Sequence, residues 1–145
     1  MKINSESTPH PPGTIVFAAT ARFEVVSYYA SHGLLLLKGD LGSKEQTHLF
    51  FKDVRAQEFR SWMNGLTITV RDIDFLGRFA SKPAAVVEPG NQIYEIASED
   101  WTGYIVGGSL WMGKFENTLM YESPLMGEAP NIWLKREFGG PELTS

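Results

Sequence analysis

Acidic and histidine side chains are the first place to look for metal chemistry in this sequence. Asp72 and Asp74 lie two residues apart and would project from one side of a strand, but two carboxylates are too few to hold a metal ion. The three histidines, His10, His32 and His48, are scattered, and none has the spacing of four residues that lets two imidazoles share one zinc ion. We therefore predict no metal site and no cofactor.

Nucleophilic catalysis has one superficial match, a serine that follows two glycines at Gly107-Gly108-Ser109. A nucleophile elbow needs Gly-x-Ser-x-Gly between a strand and a helix, whereas here the context is β on both sides. The glycines fit a bend in a sheet better, because glycine tolerates the dihedral angles of a bulge. The chain has no cysteine, so thiol nucleophiles and thiolate metal sites are excluded. We predict no catalytic residue.

Carboxylates that meet only in the folded protein leave a hydrolase open as an alternative. Two acids from distant strands can form a catalytic pair without any local signature, and Glu95, Glu99 and Asp100 are the nearest approach to a cluster. The competing interpretation is that residues 98–100 form a polar turn whose side chains bond to nearby backbone amides. The enzyme question stays open, with the residue pattern favouring a protein that is not an enzyme.

Aromatic residues give the positive indication of function. Trp101 and Tyr104 are predicted in and beside a hairpin turn, and Trp133 in an irregular tail. Large rings on turns suit partner recognition, because they offer much contact area for little lost rotamer freedom. We predict these three as partner-binding residues; the alternative is that the tryptophans fold back and close the ends of the sheet. Trp62 and Trp111 are assigned to the core.

Composition and charge limit the kind of partner. Hydrophobic residues make up 43% of the 145 residues and aromatic residues 12%, which predicts a packed core rather than a disordered chain. The formal net charge of -4 gives no electrostatic reason to bind nucleic acid or an anionic membrane. The first residues lack the apolar run of a secretory signal, so we expect a cytoplasmic location. The expected partner is another protein, with a homodimer left open.

The elements that would position these residues are mostly strands. Residues 1–13 are polar and rich in Pro and Ser, and they predict a disordered arm ahead of a single β-rich domain at 14–145. Dense β-branched and aromatic runs, separated by glycine turns, predict strands through most of that domain. Ala56, Phe59 and Met63 have helical spacing, with Asp53 as a cap and Gly65 as a stop, so one short helix is predicted at about 54–64. The predicted fold is an antiparallel sandwich or curled half-barrel carrying this helix.

Between Phe23 and Phe115 the chain resembles small uncharacterised bacterial β-rich proteins, including immunity-type proteins of toxin systems. The resemblance is carried by the order of paired strands, by Leu49-Phe50-Phe51-Lys52-Asp53-Val54 ahead of the predicted helix, and by Tyr94-Glu95-Ile96 ahead of Trp101-Thr102-Gly103-Tyr104. It implies a compact binder that blocks a partner protein through one face and catalyses nothing, and it assigns no site residue.

The expected function is therefore a non-catalytic protein-interaction domain, in one form an immunity-type inhibitor of its partner. An alternative is a carrier of small apolar ligands, suggested by the run Leu34–Leu37 and by the many Phe and Tyr residues that could line a cavity inside a curled sheet.

Overall fold

The computed structural model describes residues 3–6, 10–116 and 118–126, and nine strands in one sheet dominate that part of the chain. In chain order the strands are β1 Ile3–Glu6, β2 Ile15–Tyr29, β3 Leu34–Gly39, β4 Glu45–Lys52, β5 Ala56–Glu58, β6 Trp62–Arg71, β7 Gln92–Ala97, β8 Thr102–Gly107 and β9 Ser109–Glu116. Short 3-10 helices lie at Ala30–His32, Ile73–Arg78 and Pro83–Val86. The predicted antiparallel β architecture is confirmed.

The sheet order is β1-β9-β4-β3-β2-β6-β7-β8-β5, and every neighbouring pair is antiparallel. Strand β2 is long enough to pair with β6 through Ile15–Glu24 and with β3 through Phe23–Tyr29, and its register shifts in both pairings. Such bulges bend a strand and increase its twist. Strands β8 and β9 lie near opposite ends of the sheet order, and the chain passes from one to the other at Gly107 and Gly108. The bend predicted from these glycines is confirmed. The sheet is therefore strongly curled.

The concave side of the curl holds the main core. Its buried side chains come from β2, β3, β4, β6, β7, β8 and β9 and from the residues just after β4. The predicted alternation in β6 is confirmed, since Leu66, Ile68 and Val70 are all buried there. Phe51 and Tyr94 meet edge to face with ring centroids 5.4 Å apart, a favourable aromatic geometry. These rings occupy the space inside the curl.

The convex side is covered in two places, which explains why Leu34–Leu37 reads as a continuous apolar run. Residues 118–126, here called the C-terminal strap, lie over β3, β4 and β9. Leu125 of the strap packs with Leu36, Phe50 and Phe115. Over β7 and β8, a second cluster joins Phe75 and Leu76 of a 3-10 helix to side chains of these strands. Both faces of the sheet are thus buried over much of its area.

The helix predicted at 54–64 is wrong, because backbone pairing with two distant segments holds these residues in extended conformation. The Val54 amide donates to the Gly33 carbonyl at 2.9 Å, and the Arg55 amide to the Val106 carbonyl at 2.8 Å. Ala56–Glu58 then forms β5 against β8. Asp53 has φ of 54°, outside the extended range of a helix N-cap. An eleven-residue segment has too little intrinsic helix stability to compete with this pairing.

Four residues of the predicted disordered arm form a strand in the structure. Ile3–Glu6 forms β1 against β9, and the Gly13 amide donates to the Val70 carbonyl at 2.7 Å. The outer side of β9 offers unpaired backbone groups that the polar N-terminal residues satisfy by adding a strand. The predicted domain spans residues 14–145, and its part after residue 126 lies outside the described residues. Among described residues, no helix is long and apolar enough to cross a membrane.

Candidate binding groove

A partly apolar groove of about 340 Å³ opens at the end of the curl where β2 turns into β3. One wall consists of Val25 and Tyr28 from the second half of β2, and the other of Gln57 and Phe59 from β5 and the residue after it. Leu35, only 1% exposed, joins the groove to the main core. Tyr28 is 44% exposed at the rim. This is the geometry expected of a recognition site, with an apolar interior and an accessible aromatic anchor.

One polar group in the groove lacks a partner within the described part of the chain. The Oε1 atom of Gln57 is buried, yet it accepts no hydrogen bond from any described residue. An unsatisfied buried acceptor costs about 1–3 kcal/mol, so its presence in an otherwise well-paired sheet needs a reason. Because Gln57 lines the groove, its Oε1 atom is a candidate acceptor for a donor on a bound ligand.

Trp101 lies beside the groove rather than displayed on a free turn. Its ring is partly buried and packs against the main core, as the alternative interpretation of the sequence expected. The Arg60 guanidinium lies 5.5 Å from the Trp101 ring centroid and 3.8 Å from a carboxylate oxygen of Asp100. Arg60 itself lines the groove. Trp101 thus supports one rim of the groove through Arg60.

The other two predicted partner-binding residues have different outcomes. Tyr104 is only 3% exposed; its ring packs against Phe79 and its hydroxyl lies 3.0 Å from the Ser81 hydroxyl. It pairs with Glu58 across the β5–β8 ladder, so it holds β5 in place and offers no ring surface to a partner in this structure. Trp133 lies outside the described residues. The structure therefore brings Trp101 and Tyr104 to the supports of the groove and not to its walls.

A second polar constellation lies under the C-terminal strap. The His48 ring contacts the Ser123 hydroxyl at 2.6 Å through Nδ1 and Gln46 Oε1 at 3.3 Å through Nε2. Lys38, the cross-strand neighbour of His48, donates to the Leu119 carbonyl at 2.7 Å and to the Thr118 hydroxyl at 3.3 Å. These bonds fasten the strap to β3 and β4.

The electrostatics of this constellation argue against serine catalysis. Burial, and secondarily the charge of Lys38, lower the pKa of His48 to about 3. A general base works best with a pKa near the working pH, so this imidazole is a poor one at neutral pH. His48 is fully buried and Ser123 nearly so, and a substrate has no access to the pair. Burial also lowers the pKa of Lys38, against an opposing effect of the Glu122 charge.

Three other chemical candidates from the sequence, Asp72, Glu95 and Ser109, make structural contacts. Asp72 caps the 3-10 helix at Ile73–Arg78, its side chain accepting from the Phe75 amide at 3.3 Å. Glu95 pairs with Arg71 at 2.8 Å across neighbouring strands. The Ser109 hydroxyl accepts from the Trp111 indole at 2.9 Å. Within the described ranges no cluster of three or more metal-ligating side chains occurs.

The walls of the groove were missed by reasoning from sequence. The spacing of Ala56, Phe59 and Met63 predicts a helix that includes Gln57, whereas the structure has β5 there, and no sequence motif gives Tyr28 a binding role. Trp62, assigned to the core, is 44% exposed, with the Arg22 guanidinium 4.6 Å from its ring centroid. The usable signal is the pair of aromatic residues that closes β2, since Tyr28 and Tyr29 stay 44% and 48% exposed although both are paired with β3.

No family model matches this chain, and no curated protein and no solved structure matches it either.

Proposed function

We propose that this protein is a non-catalytic interaction domain that binds a segment of a partner protein in the groove between β2 and β5. The single observation that carries the proposal is the combination found there: an apolar groove continuous with the core, an exposed Tyr28 ring and the unpartnered Gln57 Oε1. Apolar surface gives affinity, and an unpartnered acceptor gives orientation. An inhibitor of the immunity type is one form that such a domain takes.

A protein partner is favoured over nucleic acid or a membrane by charge. The chain carries a net charge of -4, and Arg60 on the groove rim is already paired with Asp100. Phosphate binding needs an excess of free cations, which this rim lacks. A mixed rim around an apolar centre is the usual anatomy of a protein–protein contact.

The first prediction concerns the rim tyrosine. Selection of short random peptides displayed against the whole protein is expected to yield binders, and Tyr28→Ala is expected to weaken them at least about tenfold, or about 1.4 kcal/mol, because an exposed aromatic anchor is lost. Isothermal titration calorimetry measures the change. The Tyr28 side chain is half out of the core, so the unfolding midpoint of this variant should change little.

Tyr121→Ala is the matched control, because Tyr121 is 64% exposed on the C-terminal strap and does not line the groove. It should leave the peptide affinity unchanged. If Tyr28→Ala and Tyr121→Ala lose the same amount of peptide affinity, the groove is not the binding site. The same conclusion follows if the protein binds only to itself and no displayed peptide is selected. If a small apolar probe such as a fatty acid binds and peptides do not, the ligand of the groove is a small apolar molecule and not a protein segment.

A further inference from the structure

Strand β5 follows β4 in the chain, but it does not pair with β3 as β4 does. β4 pairs with β3 as far as Phe51 against Leu35. The chain reaches β3 through the tight turn at Ala30–His32, so β3 starts too late to extend beside β5. On that side the Val54 amide donates to the Gly33 carbonyl at 2.9 Å, and the next backbone bond to β2 joins the Val25 amide to the Ser61 carbonyl at 2.8 Å, after β5 has ended. Among the described strands, β5 pairs with β8 alone and ends the sheet.

The groove runs along this unpaired side of β5. Gln57 and Glu58 of β5 line it, and Tyr28 and Val25 stand across from them. The position where a further strand would lie is thus an open, partly apolar groove bordered by a strand edge. An edge with free backbone groups is a template for pairing with another chain.

We propose, building on the proposed function, that the partner segment binds in extended conformation as an added strand along the free side of β5. The segment carries an apolar side chain that enters the groove against Leu35 and Phe59, and a donor that reaches Gln57 Oε1. Main-chain hydrogen bonds to β5 supply affinity, and alternate side chains supply specificity.

The dimensions of the groove favour a strand over a helix. A helix with its side chains is about 10–12 Å across and presents several residues on one face. A groove of about 340 Å³ beside a three-residue strand has room for an extended segment with one or two inserted side chains. A helix would also satisfy its own backbone groups and leave the edge of β5 unpaired.

Backbone N-methylation of a selected peptide tests this geometry. Methyl groups are placed on one peptide nitrogen at a time, and each methylated peptide is titrated into the full-length protein. We expect losses of at least about tenfold at every second position, because alternate amides of an added strand face β5. Insensitivity at all positions, or sensitivity in a run of consecutive positions, would overturn the added strand.

Gln57 variants give a second readout that fold stability alone would not produce. Gln57→Leu removes the unpartnered acceptor, so we expect a raised unfolding midpoint together with about tenfold weaker peptide binding. Gln57→Glu keeps an acceptor and should retain binding better than Gln57→Leu. A variant series in which binding simply follows stability would contradict a role in recognition.

The two proposals fail in different ways. If no displayed peptide binds, or if binders are unaffected by Tyr28→Ala, the groove is not the binding face and the proposed function falls. If binders depend on Tyr28 and yet show no alternation on N-methylation, the groove remains the binding face and only the added strand is wrong.

Discussion

Gly103→Ala is expected to destabilise the fold by about 3 kcal/mol, the upper part of the range for overpacked interiors. A Cβ at Gly103 would overlap the Glu58 carbonyl oxygen and lie 2.9 Å from the Phe59 Cβ. The obstacle includes backbone, so side-chain rotation gives no relief and β5 must move away from β8. Urea unfolding monitored by circular dichroism measures the change.

Gly77→Ala provides the control for this substitution. An added Cβ there has no heavy atom of the described structure within 4 Å, and we expect a change within about 0.5 kcal/mol. Because β5 forms one wall of the groove, Gly103→Ala should also weaken a groove-binding peptide. Equal stability of the two variants would mean that β5 does not pack on β8, and the helix predicted for residues 54–64 would have to be reconsidered.

Acidification is expected to destabilise the protein by about 2 kcal/mol between pH 6.5 and pH 5 through His48. The buried imidazole binds a proton only near pH 3 in the folded chain, whereas its ordinary pKa in the unfolded chain is 6.5. The unfolded state therefore binds more protons in this window. Stability is complete above about pH 6.5 and falls at up to about 1.4 kcal/mol per pH unit toward pH 3.

Two charged groups lie near His48, Lys38 on β3 and Glu122 on the C-terminal strap. Lys38 is the neighbour of His48 on β3, and Glu122 of the strap acts on Lys38. The neighbour of His48 on β9 is Gly113, which carries no charge. The Lys38 charge disfavours a protonated His48, and this adds to the effect of burial.

Urea unfolding at a series of pH values measures the acid effect. His48→Gln should lower stability at pH 7, where it disturbs a buried contact with Ser123, and should show a much flatter dependence between pH 6.5 and pH 5. His32→Gln, at an exposed turn position, should keep the slope of the unsubstituted protein. A slope unchanged in His48→Gln would assign the acid sensitivity to other groups.

Strand content was predictable because the local signals agree with the pairing. The alternation at Leu66, Ile68 and Val70 and the glycine-bounded leucine run mark strands whose side chains the core then buries. The error at 54–64 arose because Ala56, Phe59 and Met63 have helical spacing, while long-range bonds from Val54 and Arg55 decide the conformation. Spacing along a short segment cannot reveal these distant partners.

The groove was less predictable than the fold because it depends on an absent neighbour. Nothing local to Gln57 shows that β3 begins too late to pair with β5, and nothing local to Tyr28 shows that its ring stays half exposed. The turn position of Trp101 predicts a contact with a partner, whereas in the structure its ring packs on the core and contacts Arg60. Exposure is set by topology, which residue type alone does not determine.

Mapping the contact surface of a selected peptide by NMR tests the central proposal most directly. Amide chemical shifts of the labelled full-length protein are followed during titration. We expect the largest changes at four residues that line the groove, Val25, Tyr28, Gln57 and Phe59. Changes centred on the exposed strap residues Leu119–Tyr121, or around Trp62, would contradict it, because the binding face would then lie away from the groove.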